Sequence, residues 1–237
     1  MTELLFRDDA YVRSCEATVT AVNERGGILL DRTVFYPTGG GQPGDSGVLR
    51  LADGGTLTIA TAVKGEGPDD VVHVPADGQD LPAPGTSVTA EIDWERRHRH
   101  MRIHTCLHLL SAILPYPVTG GSIAADKGRL DFDMPEMEMT KEEITERLND
   151  LVKSGHSVTP SWISDEDLAA QPELVKTMSV KPPTGHGQVR LINVADCDRQ
   201  PCGGTHVGNT AEIGSVMVSK IEKKGRQNRR VVVVFDE

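Results

Sequence analysis

The sequence lacks any apolar run long enough to span a bilayer, and its 237 residues include only four cysteines. No apolar stretch precedes the first charges of MTELLFRDD, so a secretory signal is not expected. The cysteines are too few and too scattered for a disulfide framework, which favours a reducing compartment. We therefore expect a soluble cytoplasmic protein without a membrane partner.

The sequence also lacks a net positive charge, since its formal charge is −10. Non-specific nucleic-acid binding depends on lysine and arginine neutralising phosphates, so this charge argues against a general nucleic-acid coat. Two basic runs stand out locally, RRHRHMR at residues 96–102 and KKGRQNRR at residues 223–230. Each is either a solvated face that balances nearby acids or a local RNA contact, and both interpretations stay open.

Short β-type segments broken by glycine fill the chain up to about residue 92. Such segments are typical of a small barrel or sandwich. From residue 93 onward helical segments mix with strand-like ones such as GRLDFDM and AEIGSVMVSKIEKK, which indicates an α+β layer domain. We therefore predict an α+β protein with two domains, at residues 1–92 and 93–237.

Two helices are predicted in the second domain. The first, DWERRHRHMRIHTCLHLLSAIL, starts at the capping residue Asp93 and carries one apolar stripe. The stripe consists of Ile103, Leu107, Leu110 and Leu114. The second, TKEEITERLNDLVKSG, has a capping box of Thr140 and Glu143 and stops at Gly155. Its inward-facing residues are expected to be Ile144, Leu148, Leu151 and Val152.

Two pairs of metal-binding side chains each have a spacing of four residues. His104 and His108 lie at i and i+4 of the first helix, where two imidazoles can reach one ion. Cys202 and His206 enclose two glycines in PCGGTH, and a Gly-Gly pair lets a loop curl round an ion. Because zinc prefers thiolate and imidazole, the two pairs together predict a tetrahedral zinc site.

Other interpretations of these residues remain. A histidine pair on a helix is more often surface or hydrogen-bonded core, and Cys202 is alternatively a small buried hydrophobe. Thr105 stands where a zinc protease has its glutamate, which disfavours that class. Four ligands are typical of a structural site, whereas catalytic zinc keeps a position open for water. Cys106 and Cys197 are predicted not to be ligands.

The segment FYPTGGGQPGDSG, residues 35–47, is rich in glycine and lacks the Gly-Lys-Ser/Thr ending of a phosphate loop. It is either a hairpin turn or a ligand-binding loop. Three consecutive glycines expose backbone amides and permit close approach of a ligand. Thr38 and Gln42 flank these glycines with hydrogen-bonding side chains.

Four blocks in this order resemble the alanyl-tRNA editing proteins called AlaX, freestanding relatives of the editing domain of alanyl-tRNA synthetase. The blocks are FYPTGGGQPGDSG, RIHTCLHLL, GRLDFDM and QPCGGTHVGNTAEIG. The resemblance covers nearly the whole chain. It implies a small β-barrel followed by a two-layer α/β editing domain of the kind shared with threonyl-tRNA synthetase.

The resemblance also implies the site residues. Zinc ligation is carried over to His104, His108, Cys202 and His206. A substrate-facing role is carried over to Thr38, Gly39, Gly40, Gly41 and Gln42. Cys106 departs from the family, where a small residue is expected at this position of the helix.

The activity that the resemblance implies is a zinc-dependent, trans-acting deacylase. Its substrate is the ester that joins serine, or glycine, to tRNA for alanine. A pocket that accepts alanine excludes glycine poorly and rejects an added hydroxyl only by around 10²-fold, so accuracy needs a second site. Thr38 and Gln42 are the predicted catalytic side chains, with Thr38 reading the serine hydroxyl. Gln42 and the glycine amides are expected to hold the ester or ribose.

Several alternatives stay open at this point. Zinc either activates a water molecule or orients the substrate, and Asp198 is a candidate partner that orients a ligand. A different class of function is a zinc-stabilised RNA-binding module without activity. A third is a general zinc esterase that acts on small amino-acid esters without tRNA.

Overall fold

The computed structural model describes residues 2–178 and 187–236. Its N-terminal part contains a closed β-barrel. The barrel strands are β2 (Ser14–Val22), β3 (Ile28–Leu30), β5 (Gly47–Leu51), β6 (Thr56–Lys64), β7 (Val71–Pro75) and β8 (Ser87–Ile92). Two further strands, β1 (Glu3–Leu4) and β4 (Arg32–Thr33), form a short parallel pair. The barrel closes in the order β2-β3-β7-β6-β5-β8, and β1 pairs with β4. This confirms the small barrel predicted from the sequence.

Alternation along the strands explains the barrel core. In β6, Leu57 and Ile59 are buried while Thr56 and Thr58 face outward, because successive side chains of a strand point to opposite faces. Residues from the other strands complete the same apolar cluster; among them are Val19, Ile28, Leu30, Leu49, Val71, Val88 and Ala90. The glycine-rich segment, residues 35–47, follows β4 and ends at the first residue of β5.

The C-terminal part contains the predicted helices, α1 (Trp94–Ile113) and α2 (Lys141–Lys153), and a short helix α3 (Asp165–Ala169). Its strands are β9 (Val118–Ile123), β10 (Lys127–Asp133), β11 (Val158–Ser164), β12 (Gln188–Val194), β13 (Asp198–Pro201), β14 (Val216–Lys223) and β15 (Asn228–Phe235). One sheet has the order β14-β15-β10-β9 and a second has the order β11-β12-β13. The α+β class predicted from the sequence is confirmed.

The helix signals in the sequence are present as contacts. The Asp93 carboxylate accepts a hydrogen bond from the Arg96 amide at 3.1 Å, and the whole predicted stripe of α1 is buried. Thr140 and Glu143 form the capping box of α2. Gly155 follows the helix with a φ of 66°, which favours glycine. Leu151 is only half-buried, unlike its three predicted partners.

One predicted strand is partly wrong. The first three residues of AEIGSVMVSKIEKK belong to a 3₁₀ turn, Thr210–Ile213, and the strand begins only at Val216. Asn209 caps the turn in a capping box with Glu212, so local polar contacts override the β propensity there. Strands β9 and β13 were not predicted, because glycine and charged residues interrupt their apolar pattern.

Contacts divide the chain into two units, Met1–His98 and Arg99–Glu237. The division lies inside α1, six residues beyond the boundary that the sequence predicts at residue 92. In the part of the chain that the structure describes, no helix is both long and apolar enough to cross a membrane.

A buried ion pair closes the base of the glycine-rich loop in the first unit. Arg97 and Asp45 are almost completely buried and form a bidentate pair, with Arg97 Nε 2.9 Å from Asp45 Oδ2. Arg97 also donates to the carbonyls of Ala10 and Val34, at 3.0 and 2.7 Å. The Tyr36 amide donates to Asp45 at 2.6 Å. The pair therefore holds the two ends of the loop together.

We expect Asp45→Asn to destabilise the protein by about 3 to 5 kcal/mol, because it leaves the buried Arg97 charge without its partner. Urea unfolding measures the change. The matched control is Glu91→Gln, which breaks the exposed Arg50–Glu91 pair, where N and O are 2.7 Å apart, and should have a much smaller effect. Equal unfolding midpoints for the two variants would contradict this role of the buried pair.

Candidate metal centre and glycine-rich loop

Four side chains converge within the second unit. They are the four that the sequence singles out, His104, His108, Cys202 and His206, and one potential ligand atom from each lies within 4.8 Å of the others. The three histidines are at most 7% exposed, and Cys202 is partly buried. The spatial convergence is a fact of the structure, and the set could hold a metal ion. Ligation itself stays a prediction.

The distances within the cluster are short. Cys202 Sγ lies 3.5 Å from His104 Nε2 and 3.2 Å from His206 Nε2. The ring centroid of His206 is 4.1 Å from that of His104 and 4.5 Å from that of His108. Burying three imidazoles and one thiol this close together costs hydration free energy. A cation bound by all four side chains would compensate for that cost.

Helix α1 presents the first pair through its periodicity. His104 and His108 lie one turn apart on α1, and their rings are 5.4 Å apart. Cys106 lies between them in sequence but is outside the cluster and completely buried. Burial raises the pKa of the Cys106 thiol to about 12, so it stays protonated. Cys197 is also outside the cluster.

Asp198 fixes the orientation of His108. Its Oδ2 accepts a hydrogen bond from His108 Nδ1 at 2.9 Å, and its Oδ1 accepts one from Lys176. Burial lowers the pKa of His108, but the hydrogen bonds to Asp198 and Cys202 outweigh it and raise the pKa to about 9. Burial raises the pKa of Asp198, but His108 and Lys176 hold it at about 2. The predicted contact of Asp198 with a candidate ligand is therefore present, and His108 Nε2 faces the cluster.

Thr105 fixes the orientation of His206 in a similar way. Its hydroxyl donates to the Met101 carbonyl at 2.9 Å, so the same oxygen is an acceptor for His206 Nδ1, 3.1 Å away. The Nε2 atom of His206 is left to face Cys202. Burial and the neighbouring His104 lower the pKa of His206 well below its ordinary value. In both histidines Nδ1 is engaged by a neighbouring side chain, so Nε2 is the atom that would bind a metal.

Arg190 holds the loop that carries Cys202. Its Nη1 donates to the carbonyls of Cys202 and Gly204, both at 2.9 Å, and the Cys202 amide donates back to the Arg190 carbonyl at 3.1 Å. The Gly204 amide points at the sulfur, with N and Sγ 3.4 Å apart. Burial raises the pKa of Cys202, but the neighbouring His104 and His206 outweigh it and hold the pKa well below its ordinary value. The cysteine is therefore poised as a thiolate, the form that binds metals.

The glycine-rich loop in the first unit forms a miniature hairpin. Gly39 and Gln42 exchange backbone hydrogen bonds of 3.0 and 2.9 Å around Gly40 and Gly41. Both central glycines have positive φ, 56° and 83°, which a two-residue hairpin turn requires. The hairpin interpretation of this segment is correct, and it leaves the question of a ligand open.

The loop side chains differ in their accessibility. Thr38 is exposed, while Gln42 is completely buried. The Thr38 hydroxyl accepts from the Gly44 amide at 2.9 Å and lies 3.3 Å from the Ala62 carbonyl. Tyr36 donates from its hydroxyl to the Gly39 carbonyl at 2.8 Å. The Gly39 amide is thus used inside the hairpin and is not one of the exposed amides that the sequence suggests.

Two family models match parts of the chain. Residues 189–232, which include Cys202 and His206, match the family described as "Threonyl and Alanyl tRNA synthetase second additional domain". Residues 6–96, which include the barrel, match the family described as "tRNA synthetases class II (A)".

The chain is also similar to known proteins over nearly its whole length. It is 34% identical over 241 residues to the alanyl-tRNA editing protein AlaX-M of Methanosarcina mazei, with 98% of this chain and 95% of that protein covered. It is 32% identical over 238 residues to AlaX-M of Saccharolobus solfataricus, with 98% of both covered. The chain belongs to the AlaX family of alanyl-tRNA editing proteins. The family resemblance found in the sequence is confirmed.

A further match is to a longer protein, a complete synthetase. It is 36% identical over 231 residues to the alanine–tRNA ligase of Sulfurisphaera tokodaii, and the match covers 94% of this chain but 25% of that enzyme. The AlaX chain thus corresponds to about a quarter of that ligase. The predicted architecture, a barrel followed by an editing-type α+β domain, is confirmed by the fold and these matches together.

Asp198 was predicted from the sequence, but three other residues that position the cluster were not. The role of Arg190 depends on β12 lying beside the loop, a contact 12 residues away in sequence. Lys176 reaches Asp198 over 22 residues. Thr105 appears in the sequence only as the residue that replaces a protease glutamate. The only feature of the sequence that could have indicated the role of Thr105 is its position between two histidines on a helix.

We expect Asp198→Asn to weaken metal binding to the AlaX cluster by roughly 10- to 100-fold. An asparagine amide can donate to His108 Nδ1, which would place the imidazole proton on Nε2 and block ligation. Competition of Co²⁺ between protein and a chelator measures the affinity. The control is Asp196→Asn, which removes the same charge at an exposed position whose φ of 60° suits asparagine. Unchanged affinity in Asp198→Asn would contradict its role in orienting His108.

Proposed function

We propose that this chain is a trans-acting deacylase that hydrolyses the ester of mischarged tRNA for alanine. Serine, and secondarily glycine, is the wrongly attached amino acid. The observation that carries the proposal is the buried cluster of three histidines and one cysteine in a chain whose relatives are named alanyl-tRNA editing proteins. The substrate follows from the resemblance in the sequence and from the limits of size discrimination by a single pocket.

We infer that the metal is zinc, and the donor set supports this. A tetrahedral zinc with bonds of about 2.3 Å to sulfur and about 2.0 to 2.1 Å to nitrogen separates S from N by roughly 3.6 Å. Cys202 Sγ lies 3.5 and 3.2 Å from two imidazole nitrogens, close to that spacing. Soft thiolate with imidazole is also the ligand chemistry of zinc, whereas magnesium and calcium prefer oxygen donors.

Bound zinc would supply Lewis acidity to the ester carbonyl or to a water molecule. The protein's own residues prepare the site for this. Asp198 and Thr105 keep protons on the outer nitrogens of two histidines, and Arg190 holds the Cys202 loop. Among the residues that the structure describes, the cluster includes no carboxylate, and both Asp198 oxygens are engaged by neighbours. A side-chain carboxylate of the cluster is therefore not our candidate for the general base.

The glycine-rich loop is our candidate for contacts with the amino acid and the terminal ribose. Within residues 2–178 and 187–236, neither the Gly40 amide nor the Gly41 amide donates a backbone hydrogen bond, so both are available to a ligand. The exposed Thr38 hydroxyl uses one acceptor position for Gly44 and its proton for Ala62, which leaves one lone pair. That lone pair suits a donor such as the serine hydroxyl. Gln42, being buried, supports the loop from within.

A second candidate function is a zinc-stabilised RNA-binding module without activity. The number of converging donors favours it, since four protein ligands are typical of structural zinc. The two functions differ in one result. The module binds tRNA but never shortens the lifetime of its ester.

We expect the purified protein with zinc to hydrolyse seryl-tRNA for alanine selectively, with alanyl-tRNA surviving. His104→Ala and Cys202→Ala should each lose both zinc and hydrolysis, because each removes one donor. The first variant loses a donor on α1, and the second loses one on the loop after β13. Metal analysis and release of radiolabelled amino acid measure the two effects. Equal survival of seryl-, glycyl- and alanyl-tRNA with the intact protein would exclude editing. Full zinc occupancy in both variants would show that the donors are assigned wrongly.

We expect Thr38→Val to slow hydrolysis of seryl-tRNA by roughly 5- to 150-fold, equivalent to about 1 to 3 kcal/mol for one buried hydrogen bond. Glycyl-tRNA should lose much less, because glycine has no hydroxyl to read. The ratio of the two rates isolates the contact from any loop disturbance that affects both substrates. Thr38→Ser keeps the hydroxyl and should restore the ratio. If Thr38→Val slows both substrates by the same factor, Thr38 shapes the loop without reading the amino acid.

A further inference from the structure

One face of the four-stranded sheet in the second unit carries the apolar core. Gly128 of β10 lies so close to α1 that a Cβ there would meet Ile103 at 2.5 Å, which shows that the helix packs against this face. Val231 and Val233 of β15 share the face and are completely buried. Because side chains alternate along a strand, the intervening residues belong to the opposite face. We call that side the outer sheet face.

The outer sheet face carries charge on three neighbouring strands. Its strand register places Arg129 opposite Val232, Asp131 opposite Arg230, and Arg230 opposite Glu222. Lys127 and Lys220 belong to the same face by alternation and register. An apolar residue of this face, Met217, is 39% exposed.

Two carboxylates of the outer sheet face, Asp131 and Glu222, are each held by two cations. Asp131 binds Arg230 through Nε at 2.7 Å and Nη2 at 2.9 Å, and binds Arg129 Nη1 at 2.6 Å. Glu222 binds Lys220 at 2.7 Å and Lys224 at 3.5 Å. Asp133 belongs to the same face by alternation, so with Lys127 the face has five cationic side chains and three carboxylates, a net formal charge of +2 in a chain of −10.

The arginines of the first basic run are used elsewhere. Arg97 is buried with Asp45, and Arg99 and Arg102 donate to the carbonyls of Ala125 and Ile213 and lie over the Phe235 ring. All of residues 96–102 are buried or half-buried. Lys223, Lys224 and Arg226 of the second run are exposed at and just after the end of β14. The two runs are therefore not equivalent as contact surfaces.

We propose that the outer sheet face docks the sugar-phosphate backbone of the tRNA, a proposal that rests on the proposed function. A guanidinium has five N–H donors, and Arg129 and Arg230 are each fixed by Asp131 with donors to spare. Because these guanidinium groups are already held in place, they can bind phosphate oxygens with little further loss of side-chain entropy. The acidic remainder of the chain repels a polyanion, so this face also sets the orientation in which the RNA approaches.

The test compares two double variants that remove the same charge. Lys127→Gln with Lys220→Gln alters the outer sheet face, and Lys141→Gln with Lys153→Gln alters the exposed surface of α2, which packs against the sheet at β14. The probe is an unacylated transcript of tRNA for alanine, titrated at several NaCl concentrations. If both lysines neutralise phosphates, the slope of log affinity against log salt falls by about 0.7 to 0.9 for each lysine.

We expect that loss of slope only in the first double variant, with wild-type slope and deacylation in the α2 control. Zinc content and thermal midpoint of both variants show that the fold is kept. A wild-type slope in Lys127→Gln/Lys220→Gln, or an equal loss in both variants, overturns the docking surface. If the wild type shows lysine-dependent binding but no ester hydrolysis, the proposed function fails while the docking surface stands. If the wild type hydrolyses the ester but the slopes are unchanged, the docking surface fails while the proposed function stands.

Discussion

The structure of the second unit depends on the approach of three imidazoles and one thiolate to a common point. Grouping these side chains in a buried space is unfavourable without a shared cation, because polar and charged groups lose their hydration there. Helix α1 supplies two of the histidines while its apolar stripe packs into the core. The loop after β13 supplies Cys202 and His206. A metal ion bound by all four side chains would tie the helix to the loop, in addition to their packing.

Contacts from three neighbouring residues fix the orientation of the four side chains. Asp198 and Thr105 decide which nitrogen of a histidine carries the proton, and Arg190 fixes the backbone on both sides of Gly203. In the first unit the Arg97–Asp45 pair likewise fixes the backbone of the glycine-rich loop. In both units a buried charge network holds a loop whose own sequence gives it little rigidity, since glycine has the greatest backbone freedom.

Local patterns in the sequence predict the parts of this structure that local physics determines. The stripe and caps of α1 and α2, the alternation in β6 and the four-residue spacing of both donor pairs are all local. What the sequence does not predict arises from contacts between distant segments, such as Arg190 with the Cys202 loop or Lys176 with Asp198. The 3₁₀ turn at Thr210–Ile213 shows a local failure, where side-chain capping outweighs strand propensity. The basic run at residues 96–102 looks like a surface in sequence, yet its arginines bind carbonyls, a carboxylate and an aromatic ring.

We propose that the four converging side chains are the ligands of one zinc ion. X-ray absorption spectroscopy at the zinc edge of the purified protein tests it most directly, because it counts donors by element and distance. We expect one sulfur at about 2.3 Å and three nitrogens at about 2.0 to 2.1 Å. A first shell without sulfur, or one made of oxygen donors, would contradict it.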